Sequence, residues 1–228
     1  MQRIEGETIA RKILRDEQFA RARPILARQL GRVAAGIHGL PAAKAAKACA
    51  QMTATKEIAD LEREYRSFDW PRPVFELALR WLRDRDPGPS SEVTLVHGDF
   101  RHGNLIIGPD GVRAVLDWEL AHFGDPMEDL GWICVNSWRF GEIDKPVGGF
   151  GSREELFAGY EEAGRKVDPD ARDVLGSDGH AALGHHVLRH DAAVPQRPRS
   201  FDGARDDRAA LVGDGNRFAA VARRRRGG

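Results

Sequence analysis

The sequence has no excess of either charge, very little cysteine and no long apolar run. Lysine plus arginine and aspartate plus glutamate each total 35 of the 228 residues, so no net positive field would attract a nucleic acid. The two cysteines, Cys49 and Cys134, are far apart and favour reduced, buried thiols over a disulfide framework. No apolar stretch could span a bilayer, and residues 1–3 lead into no signal-peptide core. These absences predict a cytoplasmic protein with neither nucleic acid nor membrane as a partner.

An ordered set of polar residues stands near the middle of the chain. Residues 97–99 are His-Gly-Asp, Asn104 follows after four intervening residues, and residues 117–119 are Asp-Trp-Glu. A magnesium-dependent phosphoryl-transfer site needs such residues in this order: a carboxylate base for the incoming hydroxyl, an Asn for one metal ion, and an Asp for the metal at the phosphates. Asp99 is therefore the candidate catalytic residue, and Asn104 and Asp117 are the candidate metal ligands.

The residues between Asn104 and Asp117 predict a β-hairpin that would bring the two together. Two β-prone runs, 105–107 and 112–116, flank a Pro-Asp-Gly turn signal at 109–111. Asn104 precedes the first strand and Asp117 follows the second, so both would lie at the open end, where cross-strand partners are about 5 Å apart. One amide oxygen and one carboxylate suit Mg²⁺, which keeps several of its waters. Taken singly, the Asn could simply cap a turn and the Asp could simply end a strand; the ordered set favours a site.

Residues 95–131 resemble the catalytic core of the aminoglycoside-phosphotransferase-like kinases, which phosphorylate small-molecule hydroxyls. The family motif continues with Gly-Asp-Pro and Asp-Leu, which stand here at 124–126 and 129–130. The resemblance implies that Asp99 orients or deprotonates the substrate hydroxyl. It also implies that Asn104 and Asp117 hold Mg²⁺ beside ATP, the phosphoryl donor.

Neighbours of the motif are candidates for supporting roles. His97 ends a predicted buried strand, where its expected role is to hydrogen-bond the backbone and brace the loop. Glu119 would face either solvent or the site. Arg101 occupies a position at which many family members carry His, so its role stays open. Asp125 and Asp129 lie at the predicted start of a helix, and we expect structural roles for both.

A metal-dependent hydrolase is a rival interpretation of the same region. Its ligands would be the nitrogen and carboxylate groups that zinc and iron commonly take, here His97, Asp99, His102 and Asp117. This alternative leaves Asn104 unexplained. It predicts a metal that stays bound through dialysis, whereas a kinase site predicts weak Mg²⁺ binding that needs the nucleotide.

Apolar periodicity predicts helices on both sides of the hairpin. They are expected at 16–40, at 42–68, from Pro73, at 126–138 and, behind a capping box, from Ser152. Helices around a small hairpin-bearing site describe an α+β, mostly α, fold, as in the C-terminal lobe of a protein-kinase-like protein. By resemblance, this catalytic lobe would cover residues 1–174.

A complete kinase also needs a Gly-rich loop over the phosphates and a strand lysine that pairs with them, normally on a β-rich N-terminal lobe. The residues before the motif have a helical pattern, and none of their lysines lies on a β-pattern: Lys12, Lys44, Lys47 and Lys56. Residues 1–6 resemble the connector that follows the N-terminal lobe in relatives. We therefore expect that the chain begins at an internal start, lacks that lobe and binds ATP poorly.

The sequence changes character at about residue 175. Helical periodicity fades, four histidines bunch between 180 and 190, and Arg, Asp, Gly and Ala dominate to the end. A shifted reading frame in a GC-rich gene would produce such a composition. We expect 175–228 to be a poorly ordered tail; His186 and His190, at i,i+4 spacing, are an alternative metal pair within it.

Two hypotheses of function follow. The favoured one is an ATP-dependent phosphotransferase that acts on a small-molecule hydroxyl through positioning and charge neutralisation. The other is a non-catalytic remnant or binding module that keeps the pocket without holding nucleotide. The substrate stays open among aminoglycosides, amino alcohols and hydroxyacyl thioesters, and the oligomeric state stays open too.

Overall fold

A computed structural model describes residues 3–41, 49–67, 72–84, 90 and 92–169. The described residues fall into two compact units, one formed by 3–53 with 90–169 and the other by 54–84. The predicted tail at 175–228, with His186 and His190, lies outside the described residues, and so do Lys44 and Lys47.

The described residues of the first unit form four helices and two small antiparallel sheets. Its helices are α1 (Ala10–Arg15), α2 (Arg23–His38), α5 (Met127–Trp132) and α6 (Arg153–Glu162), with 3-10 turns at Glu17–Phe19 and Asn136–Trp138. Its strands are β1 (Thr94–Val96), β2 (Leu105–Gly108), β3 (Gly111–Val115) and β4 (His122–Gly124). The mixture of helices and small sheets agrees with the predicted α+β, mostly α, class.

The hairpin predicted between Asn104 and Asp117 is confirmed. Strands β2 and β3 pair antiparallel, with Leu105 opposite Val115 and a tight turn between Gly108 and Gly111. Two features were not predicted. The backbone of Glu7 exchanges two hydrogen bonds of 2.9 Å with Ile107, which adds an extended segment to the edge of the hairpin. Strand β4 pairs with β1 in a second sheet.

The predicted helix at 16–40 is wrong at its start and right at its end. Residues 17–19 form a 3-10 turn, and α2 begins only at Arg23, with Pro24 in its first turn. Proline has no N–H to donate, so it fits the first turn of a helix and not its interior. The helix ends at His38, one residue before Gly39.

The predicted helix at 126–138 is right near its start and wrong at its end, because α5 begins at Met127 and ends at Trp132. Val135 has an extended backbone, and a separate 3-10 turn follows it at Asn136–Trp138. The capping box at Ser152 is confirmed: its hydroxyl accepts from the Glu155 N–H at 3.3 Å, and the Glu155 carboxylate accepts from the Ser152 N–H at 3.2 Å.

The core of the first unit is built on close packing of α2 against α6. A Cβ atom on Gly31 would lie 2.0 Å from the carbonyl oxygen of Leu156, and one on Gly159 would lie 2.0 Å from that of Arg28. Only glycine therefore permits this approach of the two backbones. The buried apolar side chains around it include Leu26, Leu30, Phe100, Leu105, Leu130, Ile133 and Leu156. Phe100 is fully buried, so it anchors the segment that follows β1 in the core.

The described residues of the second unit form two helices, α3 (Ala54–Ser67) and α4 (Pro73–Arg83). The start predicted at Pro73 is confirmed. Of the helix predicted at 42–68, the structure describes residues 49–67: residues 49–53 are extended or irregular, so that part of the prediction is wrong, and the helix runs from Ala54; residues 42–48 and 68 lie outside the described residues. The two helices bury a small cluster of apolar side chains: Ile58, Leu61, Tyr65, Leu79 and Leu82. Among the described residues, no helix combines the length and the apolarity needed to cross a bilayer.

Candidate active site

Asp99 lies in the loop between β1 and β2, and hydrogen-bond donors surround its carboxylate. Its Oδ1 accepts from the indole N–H of Trp132 at 2.7 Å and from Nε of Arg101 at 2.8 Å. Its Oδ2 accepts from the side-chain amide of Asn104 at 2.7 Å. The side chain is almost fully buried. The structure thus fixes both carboxylate oxygens in one orientation.

The pKa of Asp99 is governed by two opposed effects. Burial alone would raise the pKa, since it disfavours the charged form. The hydrogen bonds from Trp132, Arg101 and Asn104, together with the positive charge of Arg101, outweigh burial and lower the pKa below its ordinary value. Asp99 is therefore ionised at neutral pH, and it is a hydrogen-bond acceptor and a weak base.

Asn104 and Asp117 lie at the same open end of the hairpin. The Asn104 carbonyl accepts from the Leu116 N–H at 2.7 Å, and Asp117 is the next residue along the chain. The Asn104 amide nitrogen donates to Asp99, both to Oδ2 and to the backbone carbonyl at 3.0 Å. The amide oxygen is consequently the atom of Asn104 that could bind a cation. The structure brings this residue into contact with Asp99.

Asp117 has an unusual backbone and an exposed side chain. Its φ is 63°, in the left-handed region that only glycine enters without cost. Such outliers persist where the surrounding structure holds them, and they often occur at functional sites. The exposed carboxylate of Asp117 and the amide oxygen of Asn104 belong to the same end of the hairpin and are both hard oxygen donors, so the residue types present fit the predicted Mg²⁺.

His97 fixes the loop to the end of β3. Its Nε2 donates to the carbonyl of Leu116 at 2.8 Å, and its Nδ1 accepts from the Asp99 N–H at 3.2 Å. Its ring packs at 4.8 Å against Trp118, which is itself 41% exposed. The two ring nitrogens thus join the backbone of Asp99 to that of Leu116, the residue before the proposed metal ligand Asp117.

Asp129 anchors the same loop from α5. Its carboxylate is fully buried and accepts from the backbone N–H groups of His97 at 2.8 Å and of Gly98 at 3.0 Å. It also accepts from Nε2 of His38 at 3.1 Å, whose Nδ1 accepts from the hydroxyl of Tyr160 at 2.8 Å. Sequence reasoning gave Asp129 only a general structural role and missed His38 and Tyr160, which no motif or spacing marks.

Arg101 contacts both the proposed base and an aromatic ring. Besides its bond to Asp99, its Nη1 donates to the His102 carbonyl at 2.8 Å, and its guanidinium carbon lies 4.5 Å from the centre of the Trp138 ring. Trp132, the other donor to Asp99, packs edge-on against Trp138 at 5.3 Å. Sequence reasoning missed both tryptophans, because nothing in their spacing connects them with residue 99.

With this geometry in view, comparison with known proteins identifies the family. The model of the phosphotransferase enzyme family matches residues 1–166. The chain belongs to that family. One mouse relative, acyl-CoA dehydrogenase family member 10, is 39% identical over 83 residues, which are 35% of this chain and only 8% of the mouse protein. The chain thus spans a small part of that relative.

Solved structures share the fold of this phosphotransferase family member. A Ralstonia eutropha protein provisionally assigned as an aminoglycoside phosphotransferase has a TM-score of 0.66 at 22% identity, over 97% of this chain and 69% of its own. A GDP complex of a mutant aminoglycoside 2'-phosphotransferase-IIIa has a TM-score of 0.60 at 14% identity, over 99% of this chain and 69% of its own. These likenesses show the kinase-like fold.

The hydrolase interpretation receives no support from the family or from the site. Nε2 of His102 donates to the carbonyl of Gly148, and burial lowers the pKa of His102 to about 4. Both His97 and His102 are thus engaged with backbone carbonyls instead of facing a common metal. Within the described part of the chain, no group of three or more His, Cys, Asp or Glu side chains is arranged to hold a metal ion.

The remaining acidic candidates lie at the margins of the site. Glu119 is exposed, which favours the solvent alternative for its carboxylate. Asp125 accepts from the Met127 N–H at 2.9 Å, as a capping side chain does, although α5 begins one residue later than predicted. Burial raises the pKa of Asp125.

Proposed function

We propose that this chain carries the hydroxyl-binding and metal-binding part of an ATP-dependent phosphotransferase that acts on a small-molecule hydroxyl. The observation that supports this most directly is the contact between Asp99 and Asn104 at 2.7 Å, at the end of the hairpin that also carries Asp117. Membership of the phosphotransferase family supports the reaction class. Since the donor is a nucleotide of the cell interior, we expect the reaction in the cytoplasm.

In the proposed mechanism, Asp99 orients the substrate hydroxyl toward the phosphate. Phosphoryl transfer passes through a loose transition state, so the hydroxyl proton need not leave before the new O–P bond begins to form. The lowered pKa of Asp99 suits this role, because an ionised carboxylate accepts a hydrogen bond early and takes the proton late. The phosphoryl group then passes from the nucleotide to the hydroxyl oxygen, and the nucleoside diphosphate leaves.

Asn104 and Asp117 would hold Mg²⁺ through the amide oxygen and the carboxylate. The bound ion would neutralise charge on the phosphates of the donor. The amide nitrogen of Asn104 already donates to Asp99, so this residue would couple the position of the hydroxyl to that of the phosphates. The left-handed backbone of Asp117 would aim its carboxylate away from the strand.

Nucleotide binding by the isolated chain is expected to be weak. A kinase holds the phosphates with a Gly-rich loop and a strand lysine. Among the described residues, the lysines considered for that role lie in helices, Lys12 in α1 and Lys56 in α3. This observation also favours the second candidate function, a binding module without catalysis. GTP is a rival donor to ATP, since one neighbour in fold was solved as a GDP complex.

The first candidate substrate is a hydroxyacyl thioester, which is suggested by the name of a sequence relative, whereas neighbours in fold are named for aminoglycosides. A mouse relative is named as an acyl-CoA dehydrogenase family member, and the match covers 8% of its length. A phosphotransferase segment joined to such a protein would act naturally on a hydroxyl of an acyl-CoA. Aminoglycosides and amino alcohols remain the alternatives to test.

The experiment is a phosphoryl-transfer assay with Mg·ATP or Mg·GTP and a panel of 3-hydroxyacyl-CoA, kanamycin and choline. Asp99→Asn keeps the shape of the side chain and removes its charge, and should abolish transfer. Asp110→Asn is the matched control, because Asp110 is an exposed carboxylate at the closed end of the same hairpin. Equal rates for wild type and Asp99→Asn would refute catalysis at this site, and micromolar Mg·ATP affinity would refute weak nucleotide binding.

A further inference from the structure

A fixed positive charge stands beside the proposed base. Arg101 donates from Nε to Asp99 and from Nη1 to the His102 carbonyl, and its guanidinium stacks on Trp138. Two hydrogen bonds and a ring contact leave this planar group little freedom. A ligand would therefore meet a charge that is already in place.

One nitrogen of the Arg101 guanidinium has no acceptor among the described residues. Its Nε and Nη1 are engaged, so Nη2 is the nitrogen to which the described residues offer no acceptor, and its side chain is 24% exposed. Guanidinium groups bind carboxylates, phosphates and carbonyl oxygens, often with two parallel hydrogen bonds. We therefore expect Nη2 of Arg101 to donate a hydrogen bond to an oxygen of the ligand.

Exposed apolar side chains follow Trp138, the residue that stacks on this charge, along the chain. The 3-10 turn that ends at Trp138 leads into a segment in which Phe140 is 39% and Ile143 is 60% exposed. Phe140 packs edge-on at 5.4 Å against His102, the neighbour of Arg101. Exposed apolar groups near a charge are typical of sites for amphiphilic ligands.

We propose that Arg101, supported by Trp138, is a specificity-determining residue that selects hydroxyl substrates bearing a carboxylate or thioester carbonyl near the reacting hydroxyl. This inference rests on the proposed function, since it names the substrate class of the same site. An amine-rich substrate would bring ammonium groups toward Arg101 and would find the Asp99 carboxylate already paired with it. The site therefore disfavours polycations.

The rival is recognition of amines by the carboxylates of the same segment. Glu142 and Asp144 are exposed there, although Glu142 pairs with Lys145 at 3.6 Å. If these carboxylates recognised the substrate, an amino alcohol would bind more tightly than a hydroxy acid. Glu142→Gln is consequently the control variant that separates the two possibilities.

The test compares two probes of equal chain length, 3-hydroxydecanoate and 1-aminodecan-3-ol, by quenching of tryptophan fluorescence without nucleotide. The wild type should bind the acid about tenfold more tightly than the amine, as expected for one charge-assisted contact. Arg101→Gln should remove most of this preference, Arg101→Lys should retain part of it, and Glu142→Gln should leave it unchanged. Equal or tighter binding of the amine by the wild type would overturn the inference.

The wild-type ratio requires no variant, so the test remains decisive even if Arg101→Gln fails to fold. If Arg101→Gln folds and retains the full preference for the acid, Arg101 is not the determinant and the inference is overturned. Phosphoryl transfer distinguishes this failure from that of the proposed function. Acid-selective binding with no transfer to either probe would refute the function alone, whereas transfer to both probes with equal efficiency would refute the selectivity alone.

Discussion

The prediction with the largest expected effect concerns Asp129, whose carboxylate binds the backbone of the proposed catalytic loop. Its buried carboxylate accepts from the N–H groups of His97 and Gly98 and from Nε2 of His38. Asp129→Ala would leave these three donors unpaired. Each unpaired buried donor costs about 1–3 kcal/mol, so the sum, roughly 3–9 kcal/mol, rivals the whole stability of an ordinary domain. We expect this variant to be largely unfolded.

Asp129→Asn is the informative variant, because it preserves volume and keeps one acceptor oxygen. The new amide nitrogen would face at least one of the three N–H donors that now bind the carboxylate. The variant thus loses a charge-assisted hydrogen bond and gains a contact between two donors, which together should lower the free energy of unfolding by about 2–4 kcal/mol. No cavity forms, so this loss reports the hydrogen bonds alone.

The assay is urea unfolding at pH 7, followed by tryptophan fluorescence. Asp110→Asn is the control, since the Asp110 side chain is 73% exposed and its pair with Arg113 lies on the surface. We expect no change in its unfolding midpoint. A loss below about 0.5 kcal/mol for Asp129→Asn would refute the argument, because it would mean that the loop does not depend on these bonds.

Three further predictions concern single side chains. Burial lowers the pKa of His102 to about 4, against an ordinary value of 6.5. The free energy of unfolding should therefore fall by roughly 3 kcal/mol as the pH falls from above 6.5 to 4, because the unfolded chain binds the proton more readily. If urea unfolding showed the same pH-dependent fall for His102→Gln, this explanation would be contradicted. Asp117→Gly should raise the thermal midpoint slightly, since it relieves about 1 kcal/mol of backbone strain, while it weakens Mg-dependent nucleotide binding; stronger binding by calorimetry would count against the metal role. Trp132→Phe removes a donor from Asp99 and should raise its pKa, which moves the acid limb of the pH–rate profile upward; an unmoved limb would show that the indole is not a determinant.

The parts of the fold that local signals encode could be predicted from the sequence. The hairpin followed from two β-prone runs around Pro-Asp-Gly, and the start of α6 followed from the capping box at Ser152. Helix boundaries were less predictable where an apolar pattern continues across a break. The pattern of 16–40 continues through the turn before Pro24, and that of 126–138 continues through the extended Val135. Strand β4 is too short to show a period.

The candidate site divides in the same way. Asp99, Asn104 and Asp117 stand at short, fixed spacings that a single sequence displays, although their proposed roles stay predictions. The residues that hold these side chains in place show no such spacing in the sequence. His38 and Asp129 are 91 residues apart in sequence, and they meet only because α2 packs beside the sheet and α5. Contacts of this kind arise from tertiary packing, which neither composition nor periodicity records.

The contacts of Asp99 also restrict how a hydroxyl could approach it. A carboxylate has about four lone-pair sites, and three are taken: two on Oδ1, by Trp132 and Arg101, and one on Oδ2, by Asn104. Oδ2 is thus the oxygen expected to accept the substrate hydroxyl, and a substrate complex with the hydroxyl on Oδ1 would contradict this. The amide nitrogen of Asn104 donates to that same Oδ2, and its amide oxygen would bind Mg²⁺. One amide could therefore align the nucleophile with the phosphate. Substitution of residues that only hold the Asn104 amide in position should therefore change the rate of transfer more than it changes the affinity for either substrate.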